Sequence, residues 1–221
     1  MRIIEQTIYQ FNELSDRAKH HALGKFREQA FQDYYDWEYI FENACDMGEM
    51  MGFDLRQRAF TCMDGSAGYA PSIFFSGFWS QGDGACFTST YRYKAGAHEN
   101  KELPEELRGI AERLKEMQSL HFYSISAETS HGGRYNHEYS MDIEIRCDCA
   151  RCESYSPGYE VEQEYKEICA DFARWIYRRL EKEYEYQTSD EYLIEMIEAN
   201  EWEFDEFGAL MGVCEADGRQ V

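Results

Sequence analysis

Apolar residues recur along this chain in two rhythms, and the changes of rhythm mark its elements. Residues 2–11 carry β-branched and aromatic side chains and predict a strand. Asn12 to Ser15 predict a turn, with Ser15 or Asp16 as cap for a helix through about residue 32. A second helix is expected over 36–51. There Trp37, Ile40, Phe41, Ala44, Gly48 and Met51 fall three or four apart and share one face, and Gly52 can stop it in a left-handed conformation. The middle reads as strands at 53–62, 71–79 and 85–94, the last two joined by the glycine- and aspartate-rich turn Ser80 to Gly84. Pro104 opens a helix to about Leu120. Alternating runs at 121–129 and 137–146 predict a hairpin closed by Ser130 to Arg134. Residues 147–158 are irregular, and a long helix follows over about 160–185. Thr188 and Glu191 have capping-box spacing, which predicts a last helix to about Trp202.

A strand, two helices, three strands, one helix, two strands and two helices make an α+β pattern. The expected architecture is a mainly antiparallel central sheet of five to six strands with two N-terminal, one middle and two C-terminal helices. Residues 1–207 read as one domain and 208–221 as a loose tail.

Charge changes the picture more than composition does. The 221 residues hold 22 Lys+Arg against 43 Asp+Glu, a net charge of -21. With 17 Tyr, 14 Phe and 4 Trp the chain is too aromatic for a disordered polyanion. Its sign argues against direct binding to nucleic acid or to an anionic membrane, both of which need clustered Lys and Arg. No run is long and apolar enough for a membrane span and no signal-peptide core opens the chain, so a cytoplasmic location with reduced cysteines is expected.

The acids are unevenly placed. Between Glu28 and Leu55, and again from Glu183 to Asp217, no Lys or Arg occurs. Glu38, Glu42, Asp46 and Glu49 stand four, four and three apart, which places them in one stripe opposite the apolar face of the second helix. Glu191, Glu195 and Glu198 repeat the arrangement. Such stripes either keep a protein soluble or imitate the spaced charges of a nucleic-acid backbone. In the second case the partner is a basic host protein such as a nuclease or CRISPR effector.

Two other constellations carry chemistry. Cys147, Cys149 and Cys152 form Cys-x-Cys-x-x-Cys, three thiols able to hold zinc if His121, His131, His137 or Cys169 supplied a fourth ligand. Only one Cys-x-x-Cys knuckle is present, so a loop of reduced thiols is the simpler reading and no cofactor is expected. Gln81 and Asp83 in the glycine turn, with His131 and His137 of the hairpin, can form a ligand, metal or acid–base site, Glu138 assisting.

The runs Phe74–Tyr91 (FFSGFWSQGDGACFTSTY), His131–Met141 (HGGRYNHEYSM) and Asp171–Asn200, with Glu13–Lys19, resemble a family of uncharacterised bacteriophage and prophage proteins. Its members are often labelled antitoxins of a toxin–antitoxin stability system. The resemblance implies a phage origin and the bacterial cytoplasm. It brings in a third expectation, an antitoxin that neutralises a protein toxin, although no basic helix-turn-helix for autoregulation is visible in the sequence. An interaction protein, more than an enzyme, is the function the sequence favours.

Overall fold

The computed structural model describes residues 7–30, 37–62, 65–147 and 157–211. The chain is α+β, and among the described residues every strand pairing is antiparallel and five α-helices stand in the expected order. It forms two compact units, residues 1–36 with 182–221 and residues 37–181. Among the described residues no helix is long and apolar enough to cross a membrane.

In the first unit β1 (Tyr9–Gln10) precedes α1 (Asp16–Ala30). The predicted strand over 2–11 reduces to those two residues, with 1–6 outside the described part. Ser15 caps α1, its Oγ accepting from the Ala18 N–H at 3.3 Å. Phe11, Leu14, Ala18, Leu23 and Phe26 pack with Leu193, Ile197 and Phe204 as a small core. Phe26 stacks on Trp202 with ring centroids 4.7 Å apart. Gly208 has φ +82°, and a Cβ there would stand 2.2 Å from the Ala18 carbonyl oxygen. A bridge between Phe204 and Leu210 follows, so residues 208–211 are tied down, while 212–221 lie outside the description.

The second unit begins with α2 (Glu38–Met51) and then β2 (Phe53–Leu55), β3 (Gln57–Thr61), β4 (Ala67–Pro71), β5 (Ile73–Ser76), β6 (Gly84–Phe87) and β7 (Ser89–Arg92). After them come α3 (Glu105–Ser119), β8 (Ile125–Ser130), β9 (Asp142–Cys147) and α4 (Tyr159–Gln187), whose residues through Glu181 belong here. The central sheet has four strands in the order β2-β7-β8-β9, and β3-β4 and β5-β6 form two-stranded ribbons. The continuous strand expected over 53–62 is divided at Arg56. Its N–H donates to the Thr88 carbonyl and its carbonyl accepts from Ser72, so the chain leaves β7 and takes β4 as partner.

Aromatic side chains fill the space between sheet and α4. Phe53 lies 5.2 Å from the Tyr91 ring and 5.4 Å from that of Phe172, all three buried. Burial of such rings supplies most of the hydrophobic stabilisation of a core this size. The buried face of α2 is Ile40, Ala44, Gly48 and Met51, as the periodicity required. Gly48 permits close approach, since a Cβ there would meet Leu55 at 2.8 Å and Phe172 at 3.4 Å. Gly52 ends α2 at φ +99°, where a Cβ would collide with the Arg92 carbonyl at 2.1 Å.

The last helix, α5 (Asp190–Ala199), and β10 (Glu203–Phe204) return to the first unit. Its cap is Ser189, whose Oγ accepts from the Tyr192 N–H at 3.3 Å. Thr188, expected as the cap, instead donates its hydroxyl to the Tyr184 carbonyl at 2.7 Å and closes α4.

Candidate functional site

Glu38, Glu42, Asp46 and Glu49 are all exposed on α2, on the side away from its buried residues. Successive members are about 4.5–6 Å apart along the axis, from a rise of ~1.5 Å per residue. Lys94 donates to the Glu49 carbonyl at 2.9 Å and lies 3.8 Å from its carboxylate. Glu42 and Asp46 form no ion pair among the described residues. Beside them Cys45, Asp46, Glu49, Asp54 and Gln57 line an open cleft of about 490 Å³ floored by Phe53 and Leu55. The Cys45 thiol registers the local field. Burial first, then Asp46, Asp54 and Glu42, push its pKa up to about 11, so it stays protonated and unreactive near neutrality. Glu191, Glu195 and Glu198 are likewise exposed on α5, opposite Leu193 and Ile197, in the other unit.

The glycine turn and the hairpin loop do meet. A Cβ on Gly84 would stand 3.1 Å from Glu138 Oε2 and 3.3 Å from the His137 ring, which sets Asp83 beside the His137–Glu138 pair. Their side chains, however, are occupied in holding the loops. Asp83 Oδ2 accepts from the Trp79 and Ser80 N–H groups at 2.9 and 2.6 Å, and Gly77 leaves room for that carboxylate. Gln81 is exposed at the tip of the turn. His131 Nδ1 lies 3.3 Å from the Ser140 carbonyl while its ring packs on Phe74. His137 Nδ1 sits 3.2 Å from Glu138 Oε2 and 3.3 Å from the Tyr139 N–H. The strand expected from 137 starts only at Asp142, because Ser140 Oγ folds back onto the His137 carbonyl at 2.7 Å and closes a turn.

From this loop an ion-pair network runs along α4. Arg174 donates to Glu138 at 3.0 Å, to Asp171 at 2.5 Å and to the Tyr139 hydroxyl at 2.5 Å. Arg113 of α3 donates to Asp171 and Glu164 at 2.5 and 2.7 Å. Tyr177 gives its hydroxyl proton to the Gly77 carbonyl at 2.9 Å. Burial, then Glu181, Asp83 and Glu138, raise its pKa to about 12, so it remains a donor.

Among the described residues no group of three or more His, Cys, Asp or Glu is placed to hold a metal ion. Cys147 is buried at the end of β9 with its sulfur 3.0 Å from Ser124 Oγ, and Cys149 and Cys152 lie outside the described residues. Of the fourth ligands considered, Cys169 is fully buried, 3.8 Å from Thr129 Oγ1, and burial raises its thiol pKa to about 12. His121 offers Cys147 only its carbonyl, at 4.0 Å.

One surface feature was not expected from the sequence. The run from 121 reads as strand, but β8 starts only at Ile125, and Leu120 to Ser124 form a turn. Phe122 and Tyr123 both have positive φ, +54° and +58°. Leu120 is 77% and Phe122 91% exposed. A tight stop after a helix normally carries a glycine or asparagine signal, and here neither residue type is present to give one.

Residues 37–190 match the model of a family described as a domain of unknown function, DUF8835, and the chain belongs to that family. No curated protein and no solved structure matches the chain. The matched stretch contains the α2 stripe and both loops, and it stops one residue before Glu191.

Proposed function

We propose that this is an acidic interaction protein of phage type that binds and blocks a basic host protein, through the α2 stripe of Glu38, Glu42, Asp46 and Glu49. One observation supports the reading most directly. Glu164 and Asp171 of α4 are met by Arg113, and Asp171 also by Arg174, whereas Glu42 and Asp46 take no cation among the described residues, although like charges at this spacing oppose the helix. Spaced, solvated carboxylates suit the groove of a nucleic-acid-binding protein such as a nuclease or CRISPR effector, and attraction across the interface speeds encounter. The chain thus acts as a nucleic-acid mimic rather than as an enzyme. Glu191, Glu195 and Glu198 form a second such surface.

The test is retention of bacterial nucleic-acid-binding proteins on the immobilised chain at low salt. Duplex DNA should displace them, and Glu42→Lys with Asp46→Lys should lower capture about tenfold. Glu195→Lys measures the share of α5. Retention that ignores both the charge reversals and the DNA overturns the proposal.

A second reading, ligand binding at Gln81, Asp83, His131 and His137, draws support from the proximity of Gly84 to His137 and Glu138. Calorimetric titration with nucleoside phosphates and with zinc decides it. Heat that disappears in His137→Ala would favour this reading over mimicry, and flat titrations would remove it.

A further inference from the structure

The Leu120–Tyr123 turn combines three properties that rarely coincide. It is apolar and exposed, with Phe122 91% and Leu120 77% open to solvent and Tyr123 half-exposed. It is conformationally strained, since Phe122 and Tyr123 stand consecutively in the left-handed region that bulky residues avoid. It is also held rigidly. The Gln118 side chain, fully buried, donates to the Ile125 carbonyl at 2.7 Å and accepts from the Ile125 N–H at 3.0 Å. The Tyr123 N–H reaches back to the Gln118 carbonyl at 2.9 Å, a helix-ending bond that ordinarily crosses a glycine and here crosses Phe122. A protein gains nothing in its free state from placing on a strained, clamped turn the most exposed large apolar side chain among its described residues, and such displays are the usual anchors of protein interfaces.

The turn's position says what it would anchor to. β2 begins one residue after Gly52, the cap of α2, and runs antiparallel to β7, which in turn runs antiparallel to β8. The register Phe53↔Tyr91↔Ala127 therefore brings the end of α2 and the turn before β8 to the same end of the sheet. They are two strand spacings apart, about 10 Å. Side chains span the interval. Lys94 bonds to Glu49, and Tyr93, its neighbour in the chain, packs its ring 4.7 Å from that of Tyr123.

We infer that the Leu120–Tyr123 turn is a preformed apolar anchor that inserts into a pocket beside the cationic surface bound by the α2 stripe, on the same basic protein. The inference rests on the mimicry reading. The stripe governs encounter and the turn governs residence, because interfacial charge acts mainly on association and a buried aromatic anchor mainly on dissociation.

A photo-crosslinking amino acid placed at position 46 and, separately, at position 122 provides the test in bacterial lysate. The same polypeptide should become joined through both positions. With that polypeptide purified, Phe122→Ser and Leu120→Ser should each speed dissociation about tenfold and leave association unchanged, with unaltered melting as the control. Glu42→Lys with Asp46→Lys should slow association instead. Crosslinking of a different polypeptide or none through position 122, or dissociation unchanged in both serine variants, overturns the anchor and leaves the stripe reading intact. Failure to crosslink through position 46 takes away both.

Discussion

Helices α2 and α4 pack on the same core, meeting at Gly48 and Phe172, yet they treat negative charge in opposite ways. On α4 acids and bases are interleaved, and both tie the helix to other elements: its Glu164 and Asp171 meet Arg113, its Arg174 meets Glu138, and its Arg178 meets Glu106. On α2 the carboxylates repeat without a basic residue in the helix. The lesson is that net charge does not describe a surface. The same carboxylate is a structural joint where a guanidinium meets it and a source of external field where none does.

The largest test of this contrast is Arg174→Ala. It leaves Glu138, only 15% exposed, without its arginine and unties Tyr139 and Asp171. Solvent reaches Arg174 itself, which keeps the expected loss near 2 kcal/mol, below that of a fully buried pair. Urea denaturation measures it, and a change of a few tenths would show that the α4 network is ornament. Phe122→Gly should go the other way. Glycine accepts positive φ freely, so stability should rise by about 1 kcal/mol in the same measurement. A loss would mean that the ring makes contacts beyond those described.

The smallest effect is the most specific to α2. Glu42→Gln with Asp46→Asn removes like-charge neighbours and should stabilise the fold by about 0.2–0.5 kcal/mol per pair. The equivalent neutralisation Asp171→Asn, on α4, should destabilise it. Cys45 offers a second readout. The folded chain holds its thiol proton to about 11 where an ordinary thiol releases it near 9.0. Protons are thus bound more tightly in the folded state between those values, and stability falls as pH rises through that window. In the double variant the pH midpoint for alkylation of Cys45, mapped by mass spectrometry, should move down toward the ordinary value. An unmoved midpoint would mean that burial and Asp54, which the double variant leaves in place, set it.

Much of the fold was legible in the sequence because its signals are local. The three- and four-residue spacing of Ile40, Ala44, Gly48 and Met51 determines the buried face of α2 and with it the exposed stripe. Gly52 announces its own left-handed stop. The failures came where distant parts of the chain decide. The split of the 53–62 run at Arg56 depends on hydrogen bonds with Ser72 and Thr88, which no local pattern encodes. The turn at Leu120–Ser124 depends on a glutamine side chain standing in for a strand partner, and Gln118 is unremarkable in a helical sequence. His131 and His137 stand in one hairpin segment of the sequence, but neighbouring residue types could not reveal that Phe74 and Ser140 already hold His131.

The Gln118 clamp has a consequence for proteolysis. Leu120, Phe122 and Tyr123 are the side chains a chymotrypsin-like enzyme selects, and they stand on an exposed turn where nicking concentrates. Binding in a protease cleft ordinarily extends the substrate backbone like an added strand, and a left-handed pair tied back to Gln118 does not meet that demand. Cleavage there therefore waits on release of the amide from Ile125. The rate of nicking measures how often that single side chain lets go, rather than how exposed the site is.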